Sequence, residues 1–433
     1  MRIDHVKAIN YKSLRNVSWH PGNFTTVIGA NASGKSNLTD FIDFISDMYN
    51  HGLSVAVARK GGYENIAHRK QRRSRGAMQV SVVADFTDQD FILRGGLKGR
   101  TSERINVRFT HEFSFRALGQ GINADFKIEY ERLSLHDLNY DTSTPIISII
   151  RNQKGFEIEA NEHIQGDIDL NWGYVARQTR PILDFRDFFE QDNFSKTELS
   201  VQIFGRISGI FRVISEKLSN IRVFQFSPTN TRNFGVPVPN PEMDIHGGNL
   251  PAVISMIQNS YPSVWTNIMD TMNKIIPNLE KIDVDYTSTR TLGLYFFEKG
   301  FGRAWNVSEI SDGTIHTLAL LVALYDPRTT MLVLEEPENS VHSWILRNII
   351  DAAGSASNRK QIMFTTHSPI VVNSLQVDNV WVMWRNNGES QLARLRSFDK
   401  NIVEAIDDGE IEMFDLVDTG AIPEAIPQGP SGV

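Results

Sequence analysis

The stretch Thr25-Thr26-Val27-Ile28-Gly29-Ala30-Asn31-Ala32-Ser33-Gly34-Lys35-Ser36 limits what this chain can fold into more than any other. An apolar strand runs into Gly-x-x-x-x-Gly-Lys-Ser, and an amphipathic segment follows, with Leu38, Phe41, Ile42, Phe44 and Ile45. Phosphate binding needs this order. A glycine-rich turn lets backbone N–H groups wrap an anion, and the helix behind it adds its positive end. Asn31, Ala32, Ser33, Gly34, Lys35, Ser36 and Asn37 are therefore the candidate phosphate contacts. Lys35 is expected to reach the β- and γ-phosphates of a nucleotide, and Ser36 to hold Mg²⁺. A Gly/Ser turn by itself is commonplace; one flanked by strand and helix in this order reads as a nucleotide-binding loop.

The chain has 433 residues, longer than one core usually organises, so two or three structural units are expected. No apolar run approaches the ~18 residues of a membrane span. Met1-Arg2-Ile3-Asp4-His5-Val6 reads as a first strand, with no signal-peptide pattern. With no cysteine, disulfides and cysteine-ligated zinc are excluded, and a cytoplasmic setting is compatible. The net charge of −7 means that any nucleic-acid surface must be a local patch.

Apolar runs at Ile3–Ile9, Leu14–Trp19 and Phe24–Ile28 predict a strand-rich start, and a helix from Lys35 to near Gly52 follows. The densest positive charge lies between Arg59 and Arg75, including His68-Arg69-Lys70-Gln71-Arg72-Arg73-Ser74-Arg75. Two readings stay open there: a DNA or RNA contact, or a solvated basic loop. No aromatic interleaves the basic core, so base stacking is not supported. Met78–Phe86, Ile105–Phe115 and Ala124–Leu133 alternate as strands of a partly exposed antiparallel sheet. The pattern from 134 to 180 is weak and polar. Residues 196–219 place Leu199, Ile203, Ile207, Ile210, Phe211, Ile214 and Leu218 on one helical face. A Pro/Gly-rich connection spans 228–249, helical character runs from Leu250 to Ile276, and strands are expected at Leu279–Tyr286 and Thr291–Phe297. Further strands are expected at Val377–Trp384 and Gln391–Phe398 before a Pro/Gly-rich tail, Ala421–Val433.

Three signals cluster toward the C-terminus. Ser308-Glu309-Ile310-Ser311-Asp312-Gly313-Thr314 precedes an apolar helix containing Leu318–Leu324. Met331-Leu332-Val333-Leu334 is an apolar strand ending in Glu335-Glu336-Pro337-Glu338-Asn339, and Gln361–Thr366 is another ending in His367. Parallel-sheet enzymes carry their chemistry at the carboxyl ends of strands, where Glu335, Glu336 and His367 stand. Glu335 is the candidate to orient Mg²⁺ and Glu336 to polarise the attacking water. His367 is the candidate γ-phosphate sensor. Taken singly, two acids can be a solvated strand end and one histidine a structural residue; Lys35 upstream tips the reading toward chemistry.

These motifs resemble the ABC/SMC-like ATPase superfamily, in its short RecF- and OLD-like branch. Gly29–Ser36 matches the Walker A loop, Ser311-Asp312-Gly313 the signature sequence, Met331–Glu336 Walker B, Asn339–His342 the D-loop position, and His367 the switch histidine. The resemblance implies an α/β P-loop NTPase fold of ABC-ATPase head type. Its mixed central sheet would carry an antiparallel β-subdomain and a helical insertion. It divides the chain into an N-terminal ATPase lobe (1–133), a helical or insertion region (134–300), a C-terminal ATPase lobe (301–400) and a C-terminal extension (401–433). It implies ATP and Mg²⁺ as cofactors, Glu336, His367 and Lys35 as catalytic residues, and Ser36 with Glu335 at the metal. Two heads would meet head to tail, as a homodimer or higher even-numbered oligomer, with Ser311 and Gly313 reaching the other subunit's ATP. The middle signature residue is Asp312 where transporters carry Gly, and Glu335 stands where many relatives have Asp. The Q-loop glutamine is open among Gln71, Gln79 and Gln89.

No long heptad run appears, so a long SMC-type coiled coil is not expected. Neither an HNH-like run nor a Toprim-like carboxylate segment is visible. The resemblance therefore points to an ATPase that controls a separately encoded nuclease or toxin, similar to the PtuA-like ATPases of anti-phage defence. The alternatives are a RecF-like repair or replication ATPase and an ATP-dependent scaffold with slow hydrolysis. A membrane role is not expected.

Overall fold

Two hydrophobic patterns run through the chain, and they sort into two kinds of sheet. The computed structural model describes residues 1–68, 76–87, 106–119, 125–139, 145–152, 155–160, 196–206, 208–398, 404–406 and 408–418. The strands are β1 (Arg2–Tyr11), β2 (Leu14–Trp19), β3 (Phe24–Ile28), β4 (Met78–Phe86), β5 (Val107–Ala117), β6 (Phe126–Asp137), β7 (Ile147–Asn152) and β8 (Gly155–Ala160). They continue as β9 (Ile221–Phe224), β10 (Leu279–Tyr286), β11 (Leu292–Glu298), β12 (Trp305–Asn306), β13 (Met331–Glu335), β14 (Gln361–Thr365), β15 (Val380–Asn386) and β16 (Glu389–Arg394). The chain divides into two units: Met1–Pro21, Asp40–Ile221 and Arg385–Leu392 form one, and Gly22–Thr39, Arg222–Trp384 and Ala393–Val433 the other.

The first unit carries an antiparallel sheet in the order β2-β1-β4-β5-β6-β7-β8. Alternation along β4 buries Met78, Val80, Val82, Ala84 and Phe86 and turns the residues between them outward, as one-sided burial requires. A buried polar chain crosses this core. Tyr49 Oη lies 2.8 Å from His111 Nδ1, and His111 Nε2 lies 3.0 Å from Glu131 Oε1. Ser200 donates to both Glu131 oxygens, at 2.6 Å from its N–H and 2.8 Å from its hydroxyl. Its buried members are thereby paired, which ties the Ser200–Gly205 helix to the sheet.

In the second unit, β13, β14, β3 and β15 run parallel as neighbours in the order β15-β3-β14-β13. β3 and β14 are buried at every residue and β13 at all but the last, the signature of a sheet covered on both faces. The cover includes the Leu250–Ser260, Pro262–Ile275, Asp312–Tyr325 and Ser343–Ala356 helices, whose apolar residues share one core with Leu332, Leu334, Ile362 and Phe364. A separate small sheet joins β10, β11 and β12. This is a mixed α/β architecture with a large antiparallel sheet and helical insertions.

Several sequence expectations meet local differences. The helix expected over 196–219 is two, Ser200–Gly205 and Gly209–Ser219, because Gly205, Ser208 and Gly209 favour a break over continuation. Leu250–Ile276 is likewise divided where Pro262 starts a new helix at a position that needs no N–H. β7 and β8 lie in the stretch read as weak and polar. The strand expected from Val377 begins at Val380, after a short 3-10 turn. Among the described residues no helix is long and apolar enough to cross a membrane.

Candidate nucleotide site

All the candidate site residues lie in the second unit. Register puts its pieces on one edge: Glu335 pairs with Thr365, and Thr365 with Val27, so three neighbouring strands end level. Beyond those ends follow Glu336, then Thr366-His367, and the Gly29–Gly34 turn. Glu336 N–H donates to Thr365 O at 2.8 Å and Thr366 N–H to Val27 O at 3.3 Å, extending the ladder into the loops.

The phosphate loop is shaped by its backbone. A Cβ on Gly29 would stand 2.0 Å from the Met383 carbonyl oxygen of β15, so no larger residue fits there. Ala32 and Gly34 take positive φ, 64° and 115°, which curls the turn in front of the Lys35–His51 helix. Of the first N–H groups of that helix, those of Asn37 and Leu38 donate to Gly34 O, at 2.9 and 3.0 Å. Asn31, Ala32 and Ser36 are exposed, Gly34 and Asn37 partly so, and Ser33 is buried.

Lys35 is buried, and its Nζ donates to Gly29 O at 2.6 Å and Ala30 O at 3.2 Å. Burial pushes its pKa down to about 8, against the opposing pull of Glu336, Glu335 and Glu338. An anionic phosphate would restore the charged form, so nucleotide binding is expected to take up about half a proton at pH 8. Because the bound state holds more protons, affinity should fall as pH rises past 8. Titration calorimetry in buffers of different ionisation enthalpy checks this, and Lys35→Arg should remove the uptake.

Glu335 accepts a hydrogen bond from Thr39 Oγ1, and that hydroxyl oxygen also lies 3.1 Å from Ser36 O. Thr39, one turn beyond Ser36, therefore links the two candidate metal residues, and the sequence reading missed it. Glu336 takes a left-handed backbone, φ 47°, an uncommon conformation for a residue with a Cβ and one that concentrates at functional sites. Its Oε2 accepts from Asn339 Nδ2 at 3.0 Å, and its Oε1 lies 3.9 Å from His367 Nε2. Burial first, and Lys35 second, hold the His367 pKa below its ordinary value, which favours the neutral ring. Glu338 was also missed as a site residue: its Oε1 accepts from Thr366 Oγ1 at 2.7 Å and from His367 N–H at 2.9 Å. It thereby ties the loop carrying His367 to the one carrying Glu336.

Ser311 and Gly313 stand elsewhere. Ser311 is the N-cap of the Asp312–Tyr325 helix, its Oγ accepting from Thr314 N–H at 3.2 Å. A Cβ on Gly313 would meet Ser340 O at 3.1 Å. Among the described residues, no hydrogen bond or ion pair joins Ser311 or Gly313 to Lys35, Glu336 or His367. Beneath them, His316 is buried with neither ring nitrogen partnered, and burial pushes its pKa down to about 4. The folded chain keeps this ring neutral while the unfolded chain takes a proton near pH 6.5, so stability is lost as pH falls from 6.5 toward 4. Urea unfolding at pH 8 and pH 5 should show a loss of about 2 kcal/mol that His316→Leu does not share.

Of the Arg59–Arg75 run, 69–75 lie outside the described residues, as do Gln71 and Gln89. Arg59 pairs with Asp47 at 2.7 Å, and Lys60 with Asp40 and Asp43, each at 2.7 Å. Gln79 is exposed on β4. No cluster of three or more His, Asp or Glu side chains arranged to hold a metal occurs among the described residues.

The fold is similar to that of an SmcHead bound to the C-winged helix domain of ScpA, at 12% identity and TM-score 0.52, covering 91% of this chain and 98% of that one. An Smc head domain of Pyrococcus furiosus with an extended coiled coil, bound to the C-terminal domain of ScpA, matches at 11% identity over 95% and 100% of the two chains, with TM-score 0.47. No curated protein matches the sequence. Residues 24–373 match the family described as "AAA domain, putative AbiEii toxin, Type IV TA system". A match of that extent makes the chain a member of this AAA-domain ATPase family.

Proposed function

We propose that the protein binds ATP with Mg²⁺, closes as a head-to-tail dimer around it, and uses hydrolysis to control a separately encoded nuclease or toxin in anti-phage defence. The observation that carries the ATPase reading is the convergence of Lys35, Glu336 and His367 at the level ends of adjacent parallel strands. The donor set fits the ligand: a curled turn, a helix N-terminus, a buried cation and an exposed Ser36 suit a triphosphate with a hard cation. Ser36 and Glu335 would hold Mg²⁺, which when bound neutralises charge on the transferred phosphoryl group. Glu336, braced by Asn339, would draw the proton from water, and neutral His367 would donate to the γ-phosphate. The nucleotide-handling parts fall in segments 1–133 and 301–400, with 134–300 as the insertion.

The shared site rests on Ser311, which caps an exposed helix start, and on Gly313 in the first turn of that helix; neither has a bond to its own chain's Lys35. The family description, with its toxin and toxin–antitoxin terms, favours defence over repair. The internal pairing of Arg59 and Lys60 gives the RecF-like alternative no added support. Ser311→Arg tests the arrangement: it should bind ATP within about threefold of the parent yet lose at least about tenfold in turnover, as expected when charge-stabilising donors are blocked. Undiminished turnover contradicts it. Co-purification from the native operon tests the effector, and an ATPase that brings down no nuclease or toxin would count against the defence role.

A further inference from the structure

We propose that Arg232 is a positioning residue for the Ser311-Asp312-Gly313 loop, and that it neutralises Asp312 so that the loop can receive a triphosphate from a second copy of the chain. This rests on the shared-site reading above. Arg232 follows the short Pro228–Thr231 helix. Its guanidinium donates to Val307 O, to Ile310 O at 2.6 Å and to Asp312 Oδ1 at 2.5 Å. Those acceptors bracket the Val307–Glu309 3-10 turn and the first residue of the Asp312–Tyr325 helix, with Ser311 between two of them. The turn is braced further by Glu309 Oε2, which accepts from Asn306 N–H at 3.0 Å, and by Asn306 Oδ1, which accepts from Ser308 N–H at 2.9 Å. A planar fork meeting two carbonyls and a carboxylate fixes a loop better than a point charge does.

The charge at Asp312 needs this partner. Its side chain is 63% exposed, beside a serine meant to face phosphate oxygens. A carboxylate at a helix N-terminus is favourable in itself, but it competes with an incoming anion for the same positive end. With Arg232 bound, the pair presents no net charge to the phosphate. Arg232 thus accounts for how an aspartate can stand in the signature sequence at all.

The test uses full-length protein in the Glu336→Gln background, with ATP affinity read by calorimetry and dimerisation by sedimentation. Arg232→Met should leave the first ATP affinity within about threefold of the parent and weaken ATP-dependent dimerisation at least about tenfold, the scale of one charge-assisted hydrogen bond. Arg232→Lys keeps the charge but not the fork, and should fall between. Adding Asp312→Asn to Arg232→Met should restore dimerisation to within about threefold, which a purely structural role for Arg232 does not predict. Undiminished dimerisation in Arg232→Met, or no restoration by Asp312→Asn with both proteins folded by circular dichroism, overturns the proposal. If Arg232→Met does not fold, Arg232→Lys carries the same comparison, and dimerisation equal to the parent overturns it. A parent that binds ATP without dimerising refutes the shared-site reading itself, and the proposal with it.

Discussion

The Glu336→Gln protein should bind ATP within about threefold of the parent and hydrolyse it at least about a hundredfold more slowly, the usual scale for losing a general base. Glutamine preserves shape and keeps an oxygen for Asn339, whose Nδ2 holds Glu336 Oε2 at 3.0 Å. What it loses is the basic oxygen, next to a histidine 3.9 Å away. Single-turnover hydrolysis checks this. Hydrolysis at the parent rate would remove Glu336 from the role of base and shift attention to Glu335 or Glu338.

Lys35→Ala should lower ATP affinity by at least about a hundredfold, because it removes charge-assisted contacts to two phosphates. The same change should cost the nucleotide-free fold little. Lys35 is held where burial lowers its pKa to about 8, so its charge is already disfavoured there, and its removal relieves that penalty. Its two bonds to Gly29 O and Ala30 O are the offsetting loss. Thermal melting separates these effects: the variant should melt near the parent without ATP and show none of the parent's ATP-induced rise. A preserved rise would contradict the assignment of Lys35.

What could be read from the sequence was local. β3, the phosphate turn and the start of the Lys35–His51 helix follow one another within a few residues, so their order is written in the chain. The same holds for β13 with Glu335 and β14 with His367, where an apolar run ends in polar groups. What escaped are residues whose roles depend on distant partners. Thr39 matters because folding brings it to Glu335, and Arg232 because it reaches Ile310 and Asp312. Glu338 was visible in Glu335-Glu336-Pro337-Glu338, but nothing local shows that it grips Thr366 and His367. β7 and β8 were lost because strands as short as Ile147–Asn152 and Gly155–Ala160 gain their order by pairing with β6 and with each other. The division of 196–219 was signalled by Gly205, Ser208 and Gly209, and the hydrophobic period masked it.

In the shared-site reading, ATP joins two copies through a site neither completes alone. Hydrogen exchange across Ile310–Thr314 of the Glu336→Gln protein, with ATP and with ADP, tests it most directly when sedimentation is run on the same samples. A dimer is expected with ATP only, with slowed exchange at Ser311 and Gly313 in that dimer. Bound ATP with a monomeric protein, or a dimer in which this loop exchanges as fast as it does with ADP, would contradict it.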